Sequence, residues 1–330
     1  MKKFQVVGIG NAMVDVLSNA DDAFLDANGI GKGIMQLIDM SRAVELYGTI
    51  GPAKEISGGS AANTIAGIAH LGGRTAYVGK VKDDQLGAIF AHDLRAQGAV
   101  YETKMAPKDG GHETGRCIVI VTPDGERSMN TYLGWSEFLT PADIDADQMS
   151  QAEWIYLEGY RFDGPDSHQA FAQAISACKG AGGRVSITLS DAFCVERHRD
   201  AFRKMIVEDV DLLFANRAEI LSMYQTADYD AALQAAAKDV AIVACTDGAN
   251  GAHVLSDGQH WHIPAVPTKI VDATGAGDLF AGAFLWAITN GHDLETAARM
   301  GNIAASEVIS HIGARPEAKL MDLFKQHGVI

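Results

Sequence analysis

The sequence predicts an α/β fold in which a doubly wound, mostly parallel sheet is flanked by helices on both faces. The first observation behind this prediction is that short apolar segments alternate with helical patterns along most of the chain. The second is a composition typical of a compact globular protein: 47% of the 330 residues are apolar, 21% are charged and only 8 are proline. A chain of this length favours one large domain with a smaller one attached.

The first elements show the alternation clearly. Residues 4–9 are typical of a buried strand, and residues 61–71 form an Ala- and Ile-rich helical pattern whose start is marked by Gly-Gly-Ser. A second strand is predicted at 75–80 and a second helix at 85–97. The two aspartates that precede this helix can cap its N terminus.

The same order continues towards the C terminus. Further buried strands are predicted at 154–157, 185–189, 211–214 and 240–245. Helices are predicted between them at 167–178, 196–206 and 218–223, and in the last third of the chain at 276–289, 294–310 and 316–327. Because strands joined through helices run parallel, this order predicts a parallel sheet covered on both faces.

Two stretches lack the alternation. Residues 14–39 and 114–132 contain short strand-like pieces with no helix between them. In the second stretch, residues 117–121 and 129–132 flank a Pro-Asp-Gly sequence, which is typical of a β-hairpin. These pieces predict a small separate sheet.

Charge and composition exclude several classes of function. The chain has 27 Lys and Arg against 42 Asp and Glu, a formal charge of −15, and such a surface disfavours nucleic acid as a partner. No apolar run reaches the roughly 18 residues of a membrane span and no signal-peptide core follows Met1, so we expect a cytoplasmic protein with no membrane association. The four cysteines are far apart and without CxxC pairs, which predicts buried free thiols rather than disulfides or a metal cluster.

The segment Asp-Ala-Thr-Gly-Ala-Gly-Asp at residues 272–278 indicates a phosphate-binding site. Gly275 and Gly277 lead directly into a helical pattern, so unpaired backbone N–H groups and the helix dipole point at one spot. Asp278, in the first turn, is placed to take a proton from an alcohol that attacks a bound phosphoryl group. The alternative is that Asp278 only complements the N terminus of the helix.

A second segment, residues 58–64, indicates a site for a hydroxyl-rich molecule. Gly58 and Gly59 let the backbone approach a ligand closely, and Asn63 offers both a donor and an acceptor. The alternative is an ordinary Gly-Gly loop in which Ser60 caps the helix.

Together the two segments resemble the two signatures of the PfkB (ribokinase-like) family of carbohydrate and nucleoside kinases, and the resemblance covers essentially the whole chain. It implies a ribokinase-like fold with two parts. The large α/β nucleotide-binding and catalytic domain would comprise residues 1–13, 40–98 and 136–330, and a small β-sheet lid would comprise residues 14–39 and 99–135.

The resemblance also implies the catalytic groups. Asp278 would be the catalytic base, and the backbone amides of Gly275, Ala276 and Gly277 would form the anion hole for the transferred phosphoryl group. The phosphoryl donor would be ATP, with Mg²⁺.

The nucleotide site is implied in the same way. Asn216 and Glu219 match the family's NxxE motif, in which the glutamate organises Mg²⁺ largely through water. Without the resemblance, the same pair predicts a helix cap with a capping box. The other implied positions are Thr246, Gly248 and Gly251 in a phosphate loop, Asn302 at the adenine pocket, and Asp272 as a candidate ligand of a monovalent cation such as K⁺.

The acceptor site implied by the resemblance does not by itself distinguish a sugar from a nucleoside. Asp15 and Asn63 match the family's grip on a diol, because a carboxylate can accept two hydroxyl hydrogen bonds. This arrangement fits any furanose ring.

Local features favour the adenosine kinase-like subgroup. The sequence around Asn11 resembles the start of that subgroup, Gln36 stands where its members carry glutamine, and residues 189–193 are similar to one of its runs. Arg127 matches an arginine that reaches the phosphates, with an exposed hairpin arginine as the alternative. The apolar residues that could contact a base, or merely pack the lid, are Met35, Leu37, Leu133 and Phe193.

The sequence therefore predicts a kinase that transfers a phosphoryl group from ATP to the 5′-hydroxyl of adenosine, giving AMP and ADP. One alternative is a kinase of a free sugar such as ribose, fructose or 2-keto-3-deoxygluconate. Another is a catalytically silent nucleoside-binding protein, against which the intact Asp278 argues. The sequence leaves both a monomer and a homodimer open, because the edge of the lid can be covered or paired.

Overall fold

A computed structural model of the protein describes residues 2–330. In this range the strands are β1 (Phe4–Ile9), β2 (Met13–Asn19), β3 (Met35–Leu37), β4 (Ala53–Gly58), β5 (Thr75–Val78), β6 (Val100–Tyr101), β7 (Gly115–Val121), β8 (Arg127–Tyr132), β9 (Ala152–Glu158), β10 (Arg184–Thr188), β11 (Leu212–Asn216), β12 (Ile242–Thr246), β13 (Ala252–Ser256) and β14 (Gln259–Ile263).

The helices complete the alternation. The α-helices are α1 (Asp22–Ala27), α2 (Met40–Thr49), α3 (Ser60–His70), α4 (Gln85–Ala96), α5 (Ala146–Ser150), α6 (Ser167–Gly180), α7 (Ala192–Asp209), α8 (Arg217–Tyr224), α9 (Tyr229–Asp239), α10 (Ala276–Thr289), α11 (Leu294–Val308) and α12 (Leu320–Gln326). Short 3-10 helices lie at Gly134–Phe138, Pro141–Asp143, Gly159–Asp163 and Gly248–Asn250.

The large sheet has the strand order β14-β13-β12-β11-β10-β9-β1-β5-β6. From β12 to β6 neighbouring strands are parallel, and only β13 and β14, at one edge, are antiparallel. Successive side chains of a strand point to opposite faces, so Val6 enters the apolar core under α3, α10 and α11, while Val7 enters the core under α6 to α9. The predicted doubly wound α/β fold is confirmed.

The small sheet has the strand order β3-β8-β7-β2-β4. Strands β7 and β8 form an antiparallel hairpin in which Val121 pairs with Arg127. Strand β2 pairs with β7 in parallel and with β4 antiparallel. The predicted hairpin is thus confirmed, and the two stretches that lack the alternation supply four of the five strands of this sheet.

The division of the chain between the two sheets differs from the prediction at two strands. Strand β4 lies in the small sheet, although it falls in the range 40–98, and β6 lies at the edge of the large sheet, although it falls in the range 99–135. Strand β4 begins with exposed Ala53 and Lys54 and half-buried Glu55 and so lacks an apolar pattern, and β6 has only two residues. The prediction also lacks helix α1, which lies between β2 and β3.

Two further observations concern the cysteines and the helices. All four cysteines are buried and free, as predicted. Among the helices of residues 2–330, none combines the length and the apolar character that crossing a membrane requires.

Gly251 fixes the start of the edge hairpin formed by β13 and β14. Its φ of +100° is a conformation that side chains rarely adopt, and a Cβ at this position would lie 2.0 Å from the carbonyl oxygen of Ile263. Gly258, at the turn of the same hairpin, also has a positive φ of +75°, but a Cβ there would have nothing within 4 Å.

We expect Gly251→Ala to lower the free energy of unfolding by at least about 3 kcal/mol, because backbone strain and overpacking add. Gly258→Ala is the matched control and is expected to lower it by about 1 kcal/mol, from backbone strain alone. Urea denaturation of the two variants measures both values. Equal losses of unfolding free energy in the two variants would contradict the inference that close packing at Gly251 requires glycine.

Candidate active site

A cavity of about 740 Å³ lies between the small sheet and the C-terminal ends of the parallel strands of the large sheet. The large sheet contributes residues at or just beyond these strand ends: Asn11, Thr188, Asn216 and Thr246. In open α/β sheets ligands bind at this edge, so the cavity is the candidate active site.

Asp278 lies at one wall of the cavity, in the first turn of α10. Its Oδ1 accepts a hydrogen bond from the Ser60 hydroxyl at 2.7 Å, and its Oδ2 accepts one from the Asn63 side-chain amide at 2.9 Å. Desolvation raises the pKa of Asp278, and these two donors together with Arg315 oppose the rise. The carboxylate is therefore held in place by the first turn of a second helix, α3.

The N terminus of α10 has the geometry of an anion site. Gly275 caps the helix with a φ of +82°, and a Cβ there would lie 2.8 Å from the Ala314 side chain. The residues Gly275, Ala276 and Gly277 line the cavity. Because the first N–H groups of a helix have no partner inside it, this end can bind the charge of a phosphoryl group.

The turn between β4 and α3 packs tightly against two side chains of the site. A Cβ on Gly58 would lie 2.3 Å from the Asp15 carboxyl carbon, and a Cβ on Gly59 would lie 2.2 Å from the Asn11 carbonyl oxygen. Gly59, which lines the cavity, is the N-cap of α3, so the expectation that Ser60 caps this helix is wrong. Gly58 does not line the cavity, and its lack of a side chain leaves room for the Asp15 carboxylate.

Asp15 and Asn63 both line the cavity and offer hydrogen-bond acceptors to it. Desolvation raises the pKa of Asp15 to about 7, although Arg315 and Arg127 favour its ionised form. The side-chain oxygen of Asn63 is buried and has no hydrogen-bond partner. A buried acceptor without a partner is costly, so this oxygen is suited to a ligand hydroxyl.

Asn11 lines the cavity and is fixed from below by a buried polar network. Its side-chain oxygen accepts a hydrogen bond from Arg161 at 3.1 Å. The backbone N–H groups of Asn11 and Ala61 donate to the two oxygens of Glu158 at 3.3 and 2.8 Å. Burial raises the pKa of the fully buried Glu158 to about 7. Glu158 thus joins the end of β1 to the start of α3.

Asn216 and Glu219 form the capping box at the start of α8 and also line the cavity. The Asn216 side-chain oxygen accepts from the Glu219 N–H at 2.9 Å, and the Asn216 side-chain amide donates to Glu219 at 2.6 Å. Burial, with a smaller effect from Asp191 and Asp278, raises the pKa of Glu219 to about 7. The helix-cap interpretation of this pair is confirmed, and its role towards Mg²⁺ stays a prediction.

The donor set around Glu219 fits a hydrated Mg²⁺ rather than a metal enclosed by protein. Within residues 2–330 no three His, Cys, Asp or Glu side chains are arranged to hold a metal ion. Mg²⁺ in phosphoryl-transfer sites usually keeps several waters and uses one or two carboxylates together with substrate phosphates. A single buried carboxylate at the cavity wall meets that requirement.

The other predicted nucleotide-binding residues divide into two groups. Thr246 and Gly248 line the cavity. Gly251 does not line it and instead packs against the end of β14. The Asn302 side chain donates to the carbonyl oxygens of Ile263 and Pro264, both at 3.0 Å, and lies at a separate cavity of about 340 Å³. The structure does not bring these last two residues to the main cavity.

Arg127 and Asp272 form an ion pair that joins the small sheet to the loop before α10. The Nη2 of Arg127 lies 2.5 Å from the Asp272 carboxylate, and its Nη1 donates to the Thr274 hydroxyl at 2.9 Å. The carboxylate also accepts from the backbone N–H groups of Thr274 and Gly313 at 2.9 and 2.7 Å. Arg127 is 9% exposed, so the alternative of an exposed hairpin arginine is wrong.

These contacts bear on the candidate monovalent-cation site at Asp272. The Arg127 guanidinium supplies positive charge at this carboxylate, and two N–H groups take up two of its other acceptor positions. The Asp272 side chain is thus neutralised within the protein, and a K⁺ ion at this residue stays a prediction.

Two residues expected near the acceptor lie elsewhere. Gln36 donates to the Asn130 side chain at 2.6 Å on one face of β3, while its neighbours Met35 and Leu37 line the cavity from the other face. Adjacent residues of a strand point to opposite faces, so Gln36 points away from the cavity that Met35 and Leu37 line. The prediction that Gln36 contacts the acceptor is therefore wrong. Phe193, at the start of α7, is 72% exposed and outside the cavity wall. Leu133 lines the cavity as expected.

Two residues that act on the site were missed. Ser60 lies three residues before Asn63, and this spacing puts both side chains on the same face of a helix. The spacing could have indicated that both contact the same group, which is the Asp278 carboxylate. Arg315 lies in the irregular segment between α11 and α12, where no sequence pattern indicates a link to the site.

Comparison with known proteins agrees with this geometry. A family model described as "pfkB family carbohydrate kinase" matches residues 30–319. The solved structure of a probable sugar kinase from Rhizobium etli CFN 42 is 46% identical, covers 100% of both chains and superposes with a TM-score of 0.94. That of an adenosine kinase from Sinorhizobium meliloti is also 46% identical, covers 98% of this chain and 99% of its own, and gives a TM-score of 0.92. Among curated proteins, a 5-dehydro-2-deoxygluconokinase from Bacillus licheniformis is 25% identical over 318 residues, 94% of this chain and 91% of its own.

We expect Arg127→Met to lower the free energy of unfolding by about 3 kcal/mol, because it leaves the Asp272 carboxylate buried without its cation. A double-mutant cycle with Asp272→Asn should show a coupling of about 1–3 kcal/mol by urea denaturation. Asp124→Asn breaks an exposed ion pair with Lys32 in the same hairpin and should leave stability nearly unchanged. Strictly additive losses at Arg127 and Asp272 would contradict the pairing.

Proposed function

The chain belongs to the pfkB family of carbohydrate kinases, which are phosphotransferases with an alcohol acceptor, and we propose that it transfers the γ-phosphoryl group of ATP to the 5′-hydroxyl of adenosine. The single observation that supports this acceptor most strongly is the division of the cavity. Asp15 and Asn63 supply its polar part, and Met35 and Leu37 on β3, together with Leu133 just after β8, supply its apolar part. A nucleoside has the matching division between a ribose with two adjacent hydroxyls and a flat base.

The polar part of the cavity gives each ribose hydroxyl a partner. Asp15 accepts hydrogen bonds from the 2′- and 3′-hydroxyls, and the unpaired oxygen of Asn63 accepts one more. A ligand that lacks these hydroxyls leaves buried acceptors without partners, which makes this part selective for a diol.

The chemical step uses groups at the N terminus of α10. Asp278, held by Ser60 and Asn63, accepts the proton of the 5′-hydroxyl as that oxygen attacks phosphorus. The backbone N–H groups of Gly275 to Gly277 bind the charge on the transferred phosphoryl group, so the proposed base and the groups that stabilise the charge belong to one helix end.

The donor nucleotide lies along the C-terminal ends of β11 and β12. Asn216, Thr246 and Gly248 line this part of the cavity and are proposed to contact the phosphates. Glu219 would orient the water shell of Mg²⁺, which neutralises phosphate charge when bound.

A second candidate function is phosphorylation of a free sugar. It is supported by the probable sugar kinase from Rhizobium etli, which is as similar to this chain as the adenosine kinase from Sinorhizobium meliloti, and by the 5-dehydro-2-deoxygluconokinase from Bacillus licheniformis. A free sugar would engage the polar part of the cavity and leave its apolar part without a partner, which is why we favour adenosine.

The acceptor is tested by measuring ADP release with ATP and Mg²⁺ over a panel of adenosine, other nucleosides, ribose, fructose, 2-keto-3-deoxygluconate and 5-dehydro-2-deoxygluconate. We expect the highest kcat/KM with adenosine. Turnover of a free sugar without turnover of adenosine would overturn the proposal that adenosine is the acceptor and leave the kinase assignment intact. Turnover of none of them would support a silent binding protein.

We expect Asp278→Asn to lower kcat with adenosine by at least about 100-fold, because the amide cannot accept the proton. Adenosine binding, measured by calorimetry without ATP, should change by less than about threefold, since the amide has nearly the same shape: its oxygen can accept from Asn63 while its NH2 group donates to the Ser60 hydroxyl. Ser60→Ala removes one donor from the same carboxylate and should cost kcat less than about tenfold. A kcat for Asp278→Asn above a tenth of wild type would exclude Asp278 as the base.

A further inference from the structure

Arg315 lies behind the active-site cavity, in the segment between α11 and α12. Its Nη1 donates to the Ala62 carbonyl at 2.9 Å and to the Gln97 side chain at 3.4 Å. Its Nη2 donates to the carbonyl and the hydroxyl of Ser57 at 3.1 and 3.2 Å. All these acceptors are neutral, and its Nε is buried without a partner. Arg315 thus carries a recessed positive charge that its own hydrogen bonds do not neutralise.

The two backbone contacts of Arg315 place this charge next to both carboxylates of the acceptor site. Ser57 precedes Gly58, on which a Cβ would lie 2.3 Å from the Asp15 carboxyl carbon. Ala62 precedes Asn63, whose side chain binds Asp278 at 2.9 Å. The guanidinium therefore binds the residues that immediately precede Gly58 and Asn63, the two residues that lie against these carboxylates.

The charged and titratable groups that face Arg315 come from four elements. They are Asp15 on β2, Asp278 on α10, Asp93 on α4 and the Tyr77 hydroxyl on β5. Asp15 also faces Arg127 and Asp272 across the small sheet. Arg127 is already paired with Asp272, so Arg315 is the cation available to Asp15 and Asp278 together.

The surroundings of these two carboxylates destabilise their ionised forms. Both are desolvated, and they repel each other, which favours protonation. A protonated Asp278 cannot take a proton from an alcohol. An arginine remains charged under all physiological conditions, so its field acts without titrating itself.

We propose that Arg315 is a positioning residue whose fixed charge keeps Asp15 and Asp278 ionised, so that one grips the acceptor hydroxyls and the other takes the proton. The inference rests on the proposed function in assigning these roles to the two carboxylates. It does not depend on which acceptor of the panel is the substrate.

The first test separates the charge of Arg315 from its hydrogen bonds. Arg315→Gln keeps hydrogen-bonding groups without the charge, and Arg315→Lys keeps the charge with fewer hydrogen bonds. We measure kcat/KM against pH with the best acceptor of the panel. The acid limb of Arg315→Gln should move up by about one pH unit, giving a roughly tenfold lower kcat/KM below pH 6, and that of Arg315→Lys should stay in place.

The matched control is Arg95→Met. Arg95 donates to the Tyr101 carbonyl through Nε and Nη2 at 3.0 and 2.7 Å, away from the cavity. Its replacement removes comparable hydrogen bonds and should not move the acid limb. A loss of kcat/KM in Arg315→Gln that is equal at all pH values would overturn the proposal and leave Arg315 a structural link.

The second test needs no activity. The pKa of Asp15 is raised on folding to about 7, so ionisation destabilises the folded protein increasingly as pH rises towards and through that value. Without Arg315 this cost grows, whereas at pH 5 both forms hold the carboxyl protonated. The Tm deficit of Arg315→Gln should therefore be larger at pH 8 than at pH 5, and a deficit independent of pH would overturn the proposal. If no acceptor is turned over, the proposed function fails and this measurement still decides the role of Arg315.

Discussion

The hydrogen bonds from Ser60 and Asn63 to Asp278 are the contacts on which the rest of the site depends, because they join the N termini of two helices that are about 200 residues apart in the chain. The close approach of these helices is made possible by glycine. A Cβ on Gly282 of α10 would lie 2.9 Å from the Thr64 carbonyl oxygen, and one on Gly67 of α3 would lie 2.7 Å from the Leu279 side chain. Packing in the helical turns just below the cavity thus positions the carboxylate at its wall.

The site concentrates carboxylates where a triphosphate has to be received. Asp15, Glu158 and Glu219 each have a pKa raised to about 7, chiefly by burial. The chain as a whole carries a formal charge of −15. Affinity for phosphate therefore has to come from local features and not from a basic surface, and the proposed function assigns it to backbone N–H groups at helix ends and to Mg²⁺.

The sequence predicts well what depends on neighbouring residues, and less well what depends on the fold. The helix that begins at Ala276, the Gly275 turn at its N terminus and the β7–β8 hairpin follow from local patterns. Gln36 was misplaced because the face of a three-residue strand is decided by its pairing with β8. The Arg127–Asp272 pair and the contacts of Arg315 join residues more than 140 positions apart, and no pattern within a single sequence specifies such partners.

The Arg127–Asp272 bridge has a mechanical consequence. The small sheet holds the arginine, and the loop that leads to the anion hole holds the carboxylate, the Thr274 hydroxyl and, through Gly313, the segment that walls Gly275. Any rotation of the small sheet away from the large domain has to separate this pair and leave a buried carboxylate without its cation. In the proposed function, opening of the small sheet and loosening of the loop that leads to the phosphoryl site are therefore coupled through this one ion pair.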